Sequence, residues 1–390
     1  MMLVFSALMV LGLGTFFFQA AGQDPEKAWE AYLVNFLLWS AVAQGGFLFS
    51  VVLHVTKAKW GKPLQGIAES FAAFFPLSFL QFLFLFLGKE HVFPWLNGDL
   101  HGRAEWLNLP FLFGRDAAGL VLLYGLGLAY LYHAVILKKA NARVTLGRAF
   151  PLAARPVADA EQLEKCKKRM GVFAVLYIMA FAFVLTLLAF DLVMSMQPLW
   201  VSTLFGAYAF VKAFYGGLAA LIILASVIHI ARGNASGITS SQFHDAGKLL
   251  FAFCLLWADF FYCQLLVIWY GNISEETSYI IRRTMIQPWN GLAWTVFILS
   301  FVIPFLILLN KQVKTRPRFM IILCSLVFVG LWLEHFLLVG PALNPRAGPI
   351  PVSVADIMIT FGFLGMMAVA VRSFFKFFPE SIPVKEGEVS

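Results

Sequence analysis

Eight ionisable side chains lie inside, or at the ends of, long apolar stretches of this sequence. They are Glu69, His54, His133, Asp191, Lys212, Asp259, Glu334 and His335. Inside hydrocarbon such a group costs about 3 kcal/mol, so proteins keep it where it moves protons, binds a ligand or compensates another charge. All eight residues are therefore candidates for a proton pathway.

The composition around these residues is that of an integral membrane protein. Of the 390 residues, 61% are hydrophobic, 13% are charged and 42 are phenylalanine. Such a chain has too few polar residues to cover a water-facing surface. Its apolar runs are roughly 20 residues long, which is the length of an α-helix that crosses about 30 Å of hydrocarbon.

The predicted fold class is an all-α integral membrane protein, with residues 1–390 forming a single polytopic domain. Ten transmembrane helices are predicted at 3–18, 31–55, 67–87, 117–137, 171–194, 203–229, 248–269, 289–309, 319–338 and 354–374. The first run could be a cleaved signal peptide, but it lacks the basic segment that precedes such peptides. We expect a retained helix.

The distribution of Lys and Arg predicts the orientation. Short loops rich in basic residues stay on the cytoplasmic side of a membrane. One set of loops and the tail carry 21 basic residues, whereas the opposite set carries seven. Both termini, including a tail over 376–390, are therefore expected in the cytoplasm, and this asymmetry explains the net charge of +8 without nucleic-acid binding.

Depth in the membrane suggests one ion pair. Lys212 lies 12 residues after Trp200, and Asp259 lies ten residues before Trp269. At 1.5 Å per residue, both sit roughly 15–18 Å from the same boundary, on consecutive helices. They are expected to pair, either as a cross-link between helices or as a proton station in the middle of the membrane.

Asp191 allows two interpretations. Its carboxylate could accept hydrogen bonds from the turn that follows it and end the helix at the membrane boundary. Alternatively, it could receive a proton from a quinol head group entering from the lipid. Candidate residues for quinone or menaquinone binding are Asp191, Trp200, Glu334 and His335.

The sequence carries no pattern of a resident metal cofactor. Its four cysteines form no CxxC pair, and its histidines show no repeated pairing between helices. Iron–sulfur, covalent c-haem and metal-ligation motifs are therefore absent from the sequence.

Three separated stretches resemble a known family. The stretch "AFDLVMSMQPLWVSTLFGAYAF" looks like the signature segment of polysulfide-reductase-type (NrfD-like) quinone-interacting membrane subunits. The stretches "DAGKLLFAFCLLWADFFYCQLLVIWYGNISEETSYIIRR" and "AKWGKPLQGIAESFAAFFPLSFLQFLFLFLGKEHVFPW" resemble the smaller NrfD-like subunit of alternative complex III. The similarity covers about residues 31–341.

The resemblance implies two four-helix bundles, helices two to five (31–194) and six to nine (200–338), with the first and tenth helices peripheral. It also implies a bacterial inner-membrane respiratory complex that oxidises quinol and passes electrons to cytochrome c or another acceptor. The expected partners are a larger NrfD-like subunit, an iron–sulfur protein and c-type cytochromes, which carry the clusters and haems. The smaller subunit would carry no metal and would support quinol binding, proton translocation or both.

Individual residues match the family pattern in several places. They are Asp191 before "MS", Ser202 and Thr203 in "ST", Gln264 with Trp269 and Tyr270, and Asn272 with Glu275 and Glu276. Four positions depart from it. Gln197 and Leu199 replace the acid and histidine that flank the proline in the family, and Asp259 and Lys212 replace an aromatic and a small or apolar residue.

Two other function classes remain open. A passive scaffold would use its intramembrane charges only to hold helices or neighbours together. A secondary transporter would have broken helices in matching positions of two halves, and no clear Gly/Pro-interrupted pair is visible in the sequence.

Overall fold

The computed structural model describes residues 2–22, 24–98, 100, 102–142, 160–197, 199–344 and 351–382. This part of the chain is helical, without strands, and ten of its helices are long and apolar enough to cross a membrane. We label them α1 to α10: Met2–Ala20, Pro25–Val55, Lys62–Val92, Leu109–Ala140, Glu161–Met196, Leu204–Arg232, Ser240–Gly271, Trp289–Leu308, Pro317–Leu343 and Val354–Phe377.

These ten helices confirm the number and the order of the predicted spans. Most extend beyond the predicted bounds, because the segments that join the apolar runs are themselves partly helical. A further short helix, Ser274–Thr284, lies between α7 and α8. The predicted basic loop lies largely at 143–159, and the end of the predicted tail lies at 383–390, both outside the described residues.

The centre of the molecule is built around α2. Nearly the whole of this helix is buried, and it packs against α3, α5, α6 and α9. The approach of α2 to α6 is closest at Gly45 and Gly217, where a methyl group on either residue would collide with the backbone of the other helix. Small residues permit such contact between helices in membranes.

The first and last helices pack against each other. Gly12 of α1 meets Gly362 of α10 backbone to backbone, and α10 also contacts α2. Much of α1 is exposed.

Two membrane-spanning helices change their hydrogen-bond pattern before a proline. In α3 a 3₁₀ turn covers Ser70–Phe74, just before Pro76, and the carbonyl of Ala72 accepts from the amide of Phe75. In α8 a π turn covers Ile298–Val302, just before Pro304. Proline has no N–H and cannot bond the carbonyl four residues earlier, so the helix must rearrange there.

A proline also releases a carbonyl oxygen to another side chain in α9. Pro341 leaves the carbonyl of Leu337 without its helical donor, and Arg283 Nε donates to that oxygen at 3.0 Å. The equivalent oxygen in α8, on Ser300, accepts from Tyr215 Oη at 3.0 Å. Both contacts tie neighbouring helices together.

The contact between α2 and α6 leads to a stability prediction. Replacing Gly217 by alanine should lower the free energy of unfolding by about 1–3 kcal/mol, because the new methyl group meets the backbone of Gly45 and Gly46. Thermal unfolding of the purified protein, followed by tryptophan fluorescence, measures the change. Gly125→Ala is the control, since nothing lies within 4 Å of its added methyl group. Equal melting temperatures for the two variants would contradict the close approach.

Candidate functional site

The carboxylate of Glu334 lies at the meeting point of α6, α7 and α9. Its Oε1 accepts a hydrogen bond from Tyr208 Oη and one from Lys212 Nζ at 3.0 Å. Its Oε2 accepts from Trp257 Nε1 at 3.0 Å. Glu334 is only 1% exposed, so these three donors replace the water that its charge would otherwise require. We call these four residues the central cluster.

The predicted pair between Lys212 and Asp259 is wrong. Lys212 forms its ion pair with Glu334, whereas Asp259 points away from the bundle and is exposed. Two residues along an α-helix differ by about 200° in direction, so Trp257 and Asp259 cannot face the same neighbour. Depth along the helix axis does not determine which face of the helix a residue occupies.

His335 lies beside the central cluster and faces a small cavity. The cavity has a volume of about 50 Å³ and lies between α2, α5, α6 and α9, with Ser40, Lys212 and His335 among its lining residues. His335 Nδ1 lies 2.7 Å from the carbonyl oxygen of Leu331, so this nitrogen carries the proton and donates. A water molecule needs about 10–15 Å³ by this measure, so the cavity can take a few of them.

Asp191 is held by two donors from the segment that begins α4. Arg115 donates to both of its oxygens, from Nε at 2.6 Å and from Nη2 at 2.5 Å, and Trp106 Nε1 donates at 2.9 Å. The guanidinium group also lies over the Trp106 ring, 3.8 Å from its centre. Ser195, in the turn after Asp191, donates to the backbone carbonyl instead. The prediction that the turn after Asp191 donates hydrogen bonds to its carboxylate is therefore wrong for the Ser195 hydroxyl.

The sequence interpretation missed Asp116, the neighbour of Asp191. This side chain is completely buried, and neither of its oxygens accepts a hydrogen bond from the described residues. The predicted helix begins at residue 117, whereas α4 begins at Leu109, so the predicted range excludes Asp116.

Glu69 forms a third polar cluster, near the end of α2 and the start of α3. Lys138 Nζ donates to Glu69 at 2.6 Å, and Ser50 Oγ donates at 3.3 Å. Tyr130 Oη lies 3.2 Å from Ser50 Oγ. Glu69 is fully buried although Lys138 is partly exposed, so the pair connects the interior to the surface.

The two predicted histidines at this end differ in their surroundings. His54 packs edge-on against Tyr130, with 5.9 Å between ring centres, and is therefore close to the Glu69 cluster. His133 stacks on Phe173 at 5.6 Å, and its Nδ1 has no hydrogen-bond partner among the described residues. The structure brings His54 to the cluster but not His133.

Further polar side chains lie along α2 between these clusters. Tyr124 Oη lies 3.4 Å from Ser40 Oγ and 2.8 Å from Ser78 Oγ. Tyr177 Oη donates to Gln44 Oε1 at 2.7 Å. Ser40 and Gln44 are four residues apart and lie on the same side of α2, whereas Ser50 follows Gln44 by six residues and is rotated from it by about 120°. This series of hydroxyl and amide groups was not singled out in the sequence.

One aromatic ring interrupts the series. Phe47 lies between Gln44 and Ser50 along α2 and is completely buried. Its ring contacts those of Tyr130 and Tyr177 edge-on, with centres 5.8 and 5.1 Å away. The polar groups on α2 therefore form two sections, separated by a phenyl ring.

Trp200 is buried rather than open to lipid. Its ring stacks on Tyr279 of the short helix Ser274–Thr284, with 3.7 Å between ring centres. Burial raises the pKa of Tyr279, so its hydroxyl stays neutral at physiological pH. The guanidinium carbon of Arg283 lies 3.6 Å from the centre of the Tyr279 ring. Arg283 Nη2 also donates to the Leu338 carbonyl at 2.6 Å. These contacts hold Trp200 and the end of α9 against the short helix.

Glu30 and Asp356 form another acidic neighbourhood that the sequence interpretation missed. Both are buried, and Glu30 lies on α2 immediately before the predicted start of that helix. The side chain of Asp356 accepts from the amide of Ser353 at 2.6 Å and begins α10. Glu30 Oε1 has no partner among the described residues.

Within the described ranges, no three His, Cys, Asp or Glu side chains come together in a way that could hold a metal ion. Comparison of the sequence with protein-family models and with curated proteins finds no match.

The partner of Lys212 can be tested with a double-mutant cycle. Lys212→Met or Glu334→Leu alone should cost about 3–5 kcal/mol, because each leaves an uncompensated buried charge. The double variant should be more stable than the sum of the two effects by at least about 1 kcal/mol. Equilibrium unfolding of the purified chain measures all three variants.

Asp259→Leu supplies the matched comparison for this cycle. Asp259 is exposed and forms no ion pair with Lys212. The effects of Asp259→Leu and Lys212→Met on the free energy of unfolding should therefore add within about 0.5 kcal/mol. Coupling of Lys212 to Asp259 rather than to Glu334 would contradict the central cluster.

Proposed function

We propose that this chain is a cofactor-free membrane subunit of a respiratory complex of the alternative complex III type, in which it conducts protons. The complex would oxidise quinol and reduce cytochrome c or another acceptor. A larger NrfD-like subunit, an iron–sulfur protein and c-type cytochromes would be its partners, and they would carry the clusters and haems. The sequence resemblance supports the membership, and the buried polar groups support the role.

The series of polar groups from Glu69 to Glu334 carries the proposal. It begins at the partly exposed Lys138 and the buried Glu69, and it continues through Ser50 and Tyr130. Beyond Phe47 it resumes at Gln44 and reaches Ser40, which lines the same cavity as Lys212.

Proton transfer along this route needs a hydrogen-bonding group or a water molecule at every step. The cavity provides room for water between Ser40 and Lys212, and Lys212 already contacts Glu334. A proton that arrives at Glu334 would weaken its attraction to Lys212, so the ion pair can respond to proton occupancy. Movement of the Phe47 ring would be required to join the two sections.

Quinone does not fit the cavity as it stands. A cavity of 150 Å³ binds benzene, whereas this one has about 50 Å³. We therefore assign quinol oxidation to the larger sister subunit and derive no step through quinone here. Binding at the predicted residues Asp191, Trp200, Glu334 and His335 would require their surroundings to open.

The proposal includes a membrane and an orientation for the chain. We propose a bacterial inner membrane with both termini in the cytoplasm, so that Glu69 lies on the cytoplasmic side and Asp191 on the outer side. Helices α2 to α5 and α6 to α9 would form the two four-helix bundles of the family. Contact between the two groups along α2 and α6 supports a path that passes from one to the other.

A structural scaffold is the second candidate function. It is favoured by the full pairing of the central charges, since Glu334, Asp191 and Glu69 all have cationic partners. A secondary transporter has less support. The irregular turns lie in α3 and α8, which are not at matching positions in the two halves.

Neutral substitution separates proton conduction from a scaffold role. Glu69→Gln and Asp191→Asn preserve the size of each side chain but remove the charge that pairs with Lys138 or Arg115, so the yield of assembled complex is measured first. If these groups carry protons, quinol oxidation or proton output should fall by at least about tenfold, as is usual for loss of a positioned proton-transfer group. The intact purified complex in proteoliposomes allows both rates to be measured together.

Glu164→Gln is the matched control for these variants. Glu164 is 72% exposed and pairs only with Lys167 on the surface of α5, so its loss should change neither rate. Unchanged turnover and proton output in all three variants would favour the scaffold.

A further inference from the structure

Asp259 is a carboxylate in the middle of a helix that faces out of the protein. It lies on α7, 12 residues before Gly271, which places it roughly 18 Å from that end of the helix. Its side chain is exposed, and the Cys263 thiol donates a hydrogen bond to it, with the sulfur 3.8 Å from Oδ1. The Asp side chain is too short to reach the membrane surface from this depth.

The carboxylate lies at the centre of a long exposed face of α7. After α1, this helix is the least buried of the ten. The large apolar side chains on the face are Leu255, Leu256, Tyr262, Val267 and Tyr270, all substantially exposed. An ionised group surrounded by such side chains would face hydrocarbon if only lipid covered it, which is strongly unfavourable.

The described part of the chain supplies no cation for Asp259. Lys212, the basic residue predicted at similar depth, is committed to Glu334. From residue 249 to residue 271 the only charged residue is Asp259 itself. An ionised Asp259 therefore needs a positive charge from a neighbour in the membrane.

We propose that this face of α7 binds a transmembrane helix of a different polypeptide, which presents a Lys or Arg side chain to Asp259. A second copy of this chain fits poorly. In a two-fold symmetric dimer through this face, the central carboxylates would approach each other, and the face has no basic residue to offset them. Intramembrane acids pair with basic groups on neighbouring helices for the same electrostatic reason.

The inference does not depend on proton conduction. None of the residues of the α2 route lies on this face, so the binding surface and the proposed pathway can fail separately. Binding is read from a covalent adduct, whereas conduction is read from rates.

Photo-crosslinking in the native membrane tests the partner. A photoreactive benzoylphenylalanine replaces Tyr262, which is 57% exposed and lies next to Asp259 on the face. The expected product joins this chain to an apolar segment of another polypeptide with a Lys or Arg within about two helical turns of the attachment point. The same probe in place of Phe183, a 68% exposed residue of α5, is the control for general lipid exposure.

Charge substitution tests the chemistry of the contact. Asp259→Asn should lower the yield of the adduct about tenfold, as expected when one charge-assisted hydrogen bond is lost, while Asp259→Glu should largely retain it. Exchanging the charges, with Asp259→Lys and an acidic residue in place of the partner's basic one, should restore the yield. An unchanged melting temperature for Asp259→Asn shows that the fold is intact.

Three results would overturn the proposal. They are adducts with lipid alone, adducts with a second copy of this chain, and an adduct whose yield does not respond to Asp259→Asn. A partner segment without a basic residue near the attachment point would also exclude the proposed contact.

Discussion

The ion pair between Lys212 and Glu334 imposes the main constraint on this structure. A charge in an apolar interior must be compensated by a partner and by hydrogen bonds, because no solvent is available to do so. Glu334 meets this requirement with donors from α6 and α7, namely Tyr208, Lys212 and Trp257. Three membrane-spanning helices are thereby fixed around one carboxylate, and the cavity beside it has Lys212 in its wall.

The remaining polar contacts follow from the same constraint. Prolines release backbone carbonyls inside α8 and α9, and Tyr215 and Arg283 donate to those oxygens from neighbouring helices. At Gly217, the lack of a side chain lets α6 approach α2 closely enough to bring Ser40 of α2 beside Lys212. The close contact between α2 and α6 and the ion pair between Lys212 and Glu334 therefore support each other, and a substitution that disturbs one should weaken the other.

The sequence predicted the membrane-spanning helices well, because an apolar run of about 20 residues has one stable conformation in lipid. It did not predict which side chains meet. Lys212 and Asp259 are predicted at similar depths, but the direction in which each side chain points depends on helix packing, which the sequence does not display. Asp116 was missed because α4 begins earlier than its apolar run. The buried position of Trp200 depends on Tyr279, from a short helix that the apolar pattern does not mark.

Infrared difference spectroscopy of the intact complex tests most directly whether the central cluster takes part in turnover. Spectra recorded before and after quinol addition, in light and heavy water, report carboxyl groups that gain or lose protons. The account predicts a carboxyl band that shifts in heavy water and disappears in Glu334→Gln, but persists in Glu164→Gln. A spectrum that is the same in Glu334→Gln as in the native protein would contradict the account and leave the cluster as a purely structural contact.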